Sequence, residues 1–361
     1  MLPSNSSTPM ASARFFNLSE KNSYSIPQPD PPFGDRLCVG SSHGWLITAD
    51  DNSELCLLNP ITGDQIDLPP VTTFPFVDAV RDHEGRITSY DLQFCDEIPP
   101  ESFDPDRLRY FLYEKAILSS KPVLKSPPSS SSSSDSPSWE DYTVMLIHNP
   151  LYGLAFARAG DKKWTLIDTP SSYWVDAIFS SNGQFFTLES KGRVEAWDLG
   201  PPLPSSTVVA PSLGYHDCNK YLVELSPGHL LQVRRMRHAA HPKSNWDPRP
   251  VYAEYTTTRI ELFEWRFGME GWVGVEWKCT KDLALFLGKN ASLCVSLRDC
   301  PDLRGNSVYF TDDCLWSFEK CHEVAPDVGI FDLEDGSFKS CCSCDLLWKW
   351  PPPIWITPCV S

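Results

Sequence analysis

Six residues near the C-terminus are of types that hold a metal ion: Cys314, Cys321, His322, Cys341, Cys342 and Cys344. Cys341 and Cys344 have the C-x-x-C spacing of a zinc knuckle or a redox pair, in which two thiolates reach one ion or each other. A structural zinc needs a second pair of ligands brought alongside, and no second C-x-x-C occurs in the chain. Cys314 lies within DDCLWSF, a strand-like apolar pattern where a thiol packs as a small hydrophobe. Buried or incidental thiols are therefore expected, with no metal and no cofactor.

Acidic residues recur at the bends of the sequence, namely Asp50, Asp51, Glu189, Asp312 and Asp313. A pair of carboxylates can run glycoside hydrolysis, so a propeller-fold carbohydrate-binding protein or glycoside hydrolase is the alternative function. Their recurrence in every unit suits solvated turns better than one unique site. The chain has no phosphate-cradling glycine loop and no H-E-x-x-H. No enzyme activity is expected. One basic run, RRMRHAAHPK from Arg234 to Lys243, stands out in so acidic a chain. Its plain reading is a solvated strand end. Its functional reading is a docking patch in which Arg234, Arg235 and Arg237 face an acidic or phosphorylated protein.

The elements that must position these residues read as short strands. Three segments share a plan of turn, apolar strand, acidic bend and second strand: HGWLITADDNSELCLLNPITG from His43, NGQFFTLESKGRVEAWDLG from Asn182, and GNSVYFTDDCLW from Gly305 continued by VGIFDLEDG from Val328. Each places a threonine just before its acidic bend, at Thr48, Thr187 and Thr311. Weak similarity spread along a chain is what a radial repeat leaves, because each sheet buries its faces only against its neighbours. NPITG, from Asn59, reads as an inter-strand turn within one unit. Between the units, ITSYDLQF, RYFLYEKAIL, YTVMLIH, YGLAFARAG and KWTLID run apolar or alternate for strand-like lengths. CTKDLALFLGKN fits a short helix capped by Asp282 and a strand equally well. The 33 prolines suit many short strands and not long helices.

These patterns predict an all-β fold, a β-propeller of six blades, closed by pairing of PPPIWITP near the C-terminus with an N-terminal strand around Phe15 to Ile26. Trp348, Trp350 and Trp355 belong to that closing region, with a binding rim as the competing reading. Residues 1–13 read as a disordered leader and residues 14–361 as one propeller domain. A Ser/Pro-rich insertion at about 120–138 has no apolar surface to offset its ordering entropy and is expected to be disordered.

Composition narrows the partners. The formal net charge is −16 and the isoelectric point is near 4.9, which disfavours nucleic acid or an anionic membrane surface, since phosphate binding needs a cationic footprint. No apolar run approaches the ~20 residues that span a bilayer, and no signal-peptide core follows Met1. An intracellular chain, in cytoplasm or nucleus, is expected, and the 13 cysteines fit a reduced compartment.

Several stretches together resemble the KIB-type (kink-suppressed) β-propeller domain of plant F-box proteins, a kelch-like domain. They are CVGSSHGWLITADDNSELCLLNPITGDQIDLPP, HNPLYGLAFARAGDKKWTLID, FFTLESKGRVEAWDL, KDLALFLGKNASLCVS, GNSVYFTDD and PPPIWITP, running from about Phe15 to the C-terminus. The resemblance implies a non-enzymatic substrate receptor of an SCF-type ubiquitin ligase, in which an N-terminal F-box binds the Skp adaptor and the propeller captures a protein client. A kinase or other signalling protein is the client that the resemblance suggests. In this sequence nothing before Phe15 could form an F-box, so Skp adaptor binding is not expected of the chain unaided.

Overall fold

The computed structural model describes residues 12–95, 97–125, 139–169, 173–240, 254–276, 280–313, 326–340 and 353–357. The chain opens with a hairpin of β1 (Ser12–Asn17) and β2 (Asn22–Pro27). The first four-stranded sheet is a meander of β3 (Leu37–Ser42), β4 (Trp45–Ala49), β5 (Leu55–Leu58) and β6 (Gln65–Asp67). A three-stranded sheet follows, of β7 (Val77–Arg81), β8 (Ile87–Leu92) and β9 (Glu101–Phe103), and then helix α1 (Pro105–Leu112).

β10 (Tyr113–Leu118) leads, through the ribbon of β11 (Val123–Leu124) and β12 (Trp139–Glu140), into β13 (Thr143–His148), β14 (Gly153–Arg158) and β15 (Thr165–Ile167); β10, β13, β14 and β15 form one sheet. The next sheet is β16 (Trp174–Phe179), β17 (Phe185–Glu189), β18 (Val194–Asp198) and β19 (Ser205–Ala210). Then come β20 (Asn219–Ser226), β21 (His229–Ala240), β22 (Glu254–Arg266) and β23 (Val273–Gly274). The last sheet contains β24 (Leu283–Leu287), β25 (Leu293–Ser296), β26 (Ser307–Phe310), β27 (Gly329–Asp332) and β28 (Phe338–Lys339), in the order β25-β24-β26-β27-β28. Its β24–β26 pair is parallel.

The protein is an all-β propeller. Successive sheets touch through β3 and β10, β10 and β16, β16 and β20, and β20 and β25, and a parallel bridge from Ser41 to Asn290 joins the last sheet to the first. Five sheets take part in these contacts. The β7–β9 sheet packs with α1 while β10 meets β3 directly, so six blades are reached only if β7–β9 is counted as one.

Local chemistry accounts for several elements. In NPITG, Asn59 Oδ1 accepts from the Ile61 and Thr62 amides at 3.0 and 3.2 Å, and Gly63 takes a φ of +80°, a conformation glycine adopts without steric cost. This is the expected turn between β5 and β6. CTKDLALFLGKN resolves to a strand, β24, because Leu285 and Leu287 join one apolar cluster while Ala284 and Phe286 join another, the two-sided burial that strand alternation serves. The expected strand at RYFLYEKAIL starts as a helix instead. Pro105 occupies its first turn and Leu108 and Leu112, one turn apart, are both buried.

The threonine of each repeat is buried: Thr48 in β4, Thr187 in β17 and Thr311 directly after β26. Thr187 Oγ1 accepts from the Trp197 indole at 2.8 Å. Three sheet-leading strands also share a register shift, at Cys38/Gly40, Tyr113/Lys115 and Trp174/Asp176. Such bulges re-aim the following side chain. At Gly40 no side chain fits, since a Cβ would lie 1.9 Å from the Ala116 carbonyl oxygen; the close approach of β3 to β10 requires glycine.

The segment 353–357 lies between the first and last sheets. Ile354 shares a buried cluster with Ala13, Cys38, Leu46 and Leu58, and Trp355 stands edge-on to Phe286, with ring centroids 5.4 Å apart. The expected strand ladder with β1–β2 is not formed among the described residues: β1 pairs with β2, and the terminal segment meets the hairpin through side chains. Trp348 and Trp350 lie outside the described residues, as do residues 1–11 and the central part of the Ser/Pro insertion. The base of that insertion is the β11–β12 ribbon, whose Trp139 packs edge-on to Trp45 at 5.3 Å. Ser12 and Ala13, at the end of the expected leader, lie in β1.

His148, at the end of β13, is buried between Phe74 and Phe76, with ring centroids 5.3 and 5.4 Å away. Burial pushes its pKa from 6.5 down to about 4. The folded ring therefore stays neutral where the unfolded ring takes a proton. Between these two values the unfolded state binds more protons, so stability falls as pH drops. The loss should approach ~3 kcal/mol once pH is below the folded pKa. Urea midpoints measured across this range should fall more steeply for the wild type than for His148→Gln, and parallel curves would reject the assignment.

Candidate functional site

Of the three arginines expected to form a docking patch, Arg234 and Arg235 are buried and Arg237 is half-buried. Arg235, in β21, is 0% exposed. Its Nη2 meets Asp327 Oδ2 at 2.8 Å, its Nη1 donates to Tyr221 Oη and the Thr311 carbonyl at 3.1 and 3.0 Å, and its Nε donates to Thr257 Oγ1 at 2.7 Å. Arg237 reaches Asp312 and Asp313 at 3.4 and 3.5 Å. Arg234 is 7% exposed, donates to the Gly214 carbonyl at 2.9 Å and lies over the Phe263 ring. The alternation of β21 and the packing of the last sheet against it turn Arg235 inward, and inward charges need partners. Burial alone would raise the Asp313 pKa, but Arg237 and Arg235 outweigh it and hold the carboxyl well below the usual range.

A second ionic centre lies where the leading strands meet. The bulges of β10 and β16 point Lys115 and Asp176 at each other, Nζ to Oδ1 at 2.5 Å, both buried. Asp176 Oδ2 also accepts from the Leu222 amide at 2.7 Å and from Ser292 Oγ at 3.1 Å, and Lys115 Nζ donates to the Gly288 carbonyl at 3.1 Å. One ion pair thus ties four sheets together. The sequence reading missed both residues, although each is a charge in the middle of an apolar strand, YEKAIL and WVDAIF.

The candidate carboxylates have structural partners. Asp51 pairs with Arg109 at 2.8 Å, Asp50 accepts from the Asn52 and Glu54 amides, Glu189 accepts from Lys191 N, and Asp312 and Asp313 belong to the arginine network. Among the described residues no group of His, Cys, Asp and Glu could hold a metal ion. The Cys314 to Cys344 cluster lies outside the described residues. Cys38, in β3, is buried and Cys294, in β25, half-buried; burial raises their pKa to about 12 and about 11, which keeps both thiols protonated.

In a meander the turns alternate between the two ends of the sheet, so the turn from second to third strand emerges beside the connections between sheets. At this end a line of hydrogen bonds runs from loop to loop. Trp174 N donates to Tyr152 O, Ser190 N to Tyr173 O, Gly214 N to Lys191 O, and Arg234 to Gly214 O. The loops so joined display Leu151 (65% exposed), Tyr173 (46%) and Tyr215 (73%), with Tyr152 at 6.2 Å from the Tyr173 ring. Leu151 and Tyr152 both take left-handed φ values, 67° and 51°, a cost that persists where the surroundings enforce it and often where a site uses it. Tyrosines on a braced rim offer large contact area with little entropy to lose.

The model of the family described as KIB1-4 beta-propeller matches residues 15–332. The chain belongs to that family. Two proteins of Arabidopsis thaliana that carry the name F-box protein are similar to this KIB1-4 propeller. One is 28% identical over 276 residues, covering 76% of this chain and 61% of the relative. The other is 23% identical over 335 residues, covering 92% of this chain and 76% of the relative. The chain thus spans under two thirds of the length of the first. Among solved structures, the β-propeller domain of Cps50 (Swd1) from Myceliophteria thermophila aligns over 85% of each chain, at 10% identity and a TM-score of 0.30. Among the described residues of the KIB1-4 chain, no helix is long and apolar enough to cross a membrane.

Proposed function

We propose that this propeller is the client-binding part of a substrate receptor for an SCF-type ubiquitin ligase, acting in cytoplasm or nucleus and catalysing nothing itself. Membership of the KIB1-4 family and the F-box names of its relatives support the reading. The observation that carries it is the braced rim of Leu151, Tyr152, Tyr173 and Tyr215, a broad apolar and phenolic surface of the kind that grips a protein. A sugar hydrolase would instead need two free carboxylates in one pocket, and the acids considered for that role are engaged in turns and ion pairs.

The test compares three forms of the chain expressed in plant cells and purified with whatever they hold: wild type, a rim variant with Tyr152, Tyr173 and Tyr215 changed to serine, and an opposite-end control carrying Leu203→Ser. The rim variant should lose at least tenfold of a client that wild type and control retain, with all three giving the same circular dichroism. Equal recovery by the rim variant would reject the surface. Ubiquitination of the client, and recovery of the Skp adaptor, test the ligase part separately.

A further inference from the structure

The seam between the first and last sheets holds a cavity of about 550 Å³, within the ~300–1,000 Å³ range of small-molecule sites. Its wall is mainly apolar, with Phe15 and Tyr24 from the hairpin, Phe286 and Leu293 from the last sheet, and Ile354 and Trp355 from the terminal segment. Among the described lining residues there is no carboxylate, although the chain carries a net charge of −16. The charged residue of that lining is Lys121, which is exposed and makes no ion pair among the described residues. Two buried polar atoms at the wall, Thr311 Oγ1 and Trp355 Nε1, have no hydrogen-bond partner among the described residues, and Thr311 is 1% exposed. Native interiors leave few such atoms unsatisfied, and a bound water or ligand group is one way to satisfy them.

We propose that this seam binds a long-chain carboxylate, with the hydrocarbon against the apolar wall and the carboxylate at Lys121. The charge pattern selects an anion, since a cation would meet Lys121 alone and an uncharged chain would leave it unused. The mainly apolar wall selects a hydrocarbon chain over a small polar anion, because burying the chain against it removes apolar surface from water. Bound there, the ligand contacts the hairpin, the terminal segment and the last sheet at once, so occupancy stabilises the packing of the first sheet on the last. The site is distinct from the tyrosine rim, so this inference goes beyond the client-binding reading.

Calorimetric titration with oleate below its micelle concentration tests it, with oleyl alcohol as the uncharged probe. Wild type should bind one oleate per chain, saturably, and melt at higher temperature with it. Lys121→Glu, a change at an exposed position, should weaken oleate at least tenfold and leave oleyl alcohol unaffected. Leu293→Trp, which fills the cavity, should remove binding of both, with circular dichroism confirming that each variant is folded. Absence of saturable oleate binding by the wild type, equal oleate affinity in Lys121→Glu, or undiminished binding in folded Leu293→Trp would each overturn the proposal.

Discussion

Arg235→Met should lower the stability of the protein by about 3–5 kcal/mol, the cost typical of removing one partner from a buried ion pair. Arg235 is fully buried in β21 and stands over the Phe310 ring at 4.5 Å. Its five donors face Asp327, Tyr221, Thr257 and the Thr311 carbonyl, with Asp313 at 3.8 Å. Methionine fills a similar volume, so the loss measures unpaired charge more than empty space. Arg237 reaches Asp312 and Asp313, so among the described residues Asp327 would keep no ionic partner. Lysine should rescue little, because an ammonium cannot reproduce the planar fork. Urea unfolding of Arg235→Met and Arg235→Lys checks both statements; a loss under ~1 kcal/mol for the methionine variant would contradict the buried network.

Lys115→Met should be comparably damaging, by about 3–5 kcal/mol, because it strands Asp176, whose side chain is 0% exposed. A second substitution separates charge from packing. Asp176→Asn in the Lys115→Met background keeps an oxygen for the Leu222 amide, which now donates to Asp176 Oδ2 at 2.7 Å, while removing the charge. That double variant should recover at least ~1 kcal/mol over the single one, since a buried neutral amide costs far less than a buried carboxylate. Stability that does not recover would mean that Lys115 acts through its packing alone. Because the pair and its hydrogen-bond partners come from β10, β16, β20 and the stretches beside β24, its loss should also reduce cooperativity between sheets, visible as a lower denaturant slope.

How far each feature was readable follows from how local its cause is. The turn at Asn59 to Gly63 was legible because a side-chain acceptor and a left-handed glycine act within five residues. The recurrence of Thr48, Thr187 and Thr311 was legible because the same strand pattern appears three times, whereas their burial was decided by the packing of the sheets. Helix α1 was missed: its buried Leu108 and Leu112 are surrounded by aromatic residues that also suit a strand, and the packing of α1 on β8 and β10 favours the helix. The arginine run shows the same limit more sharply. Charge density marked Arg234, Arg235 and Arg237 as unusual, but whether they face solvent or carboxylates depends on Asp312, Asp313 and Asp327, more than seventy residues away.

The sequence by itself determined an all-β chain of repeated short strands, the turns that end them and the family they build, because alternation, turn chemistry and repetition act over a few residues at a time. Tertiary structure alone decided which charges became internal braces, which loops joined into the tyrosine rim, and that a cavity remains at the seam. Those outcomes arise from contacts between sheets distant in sequence, and no local pattern records the distance at which two such surfaces come to rest.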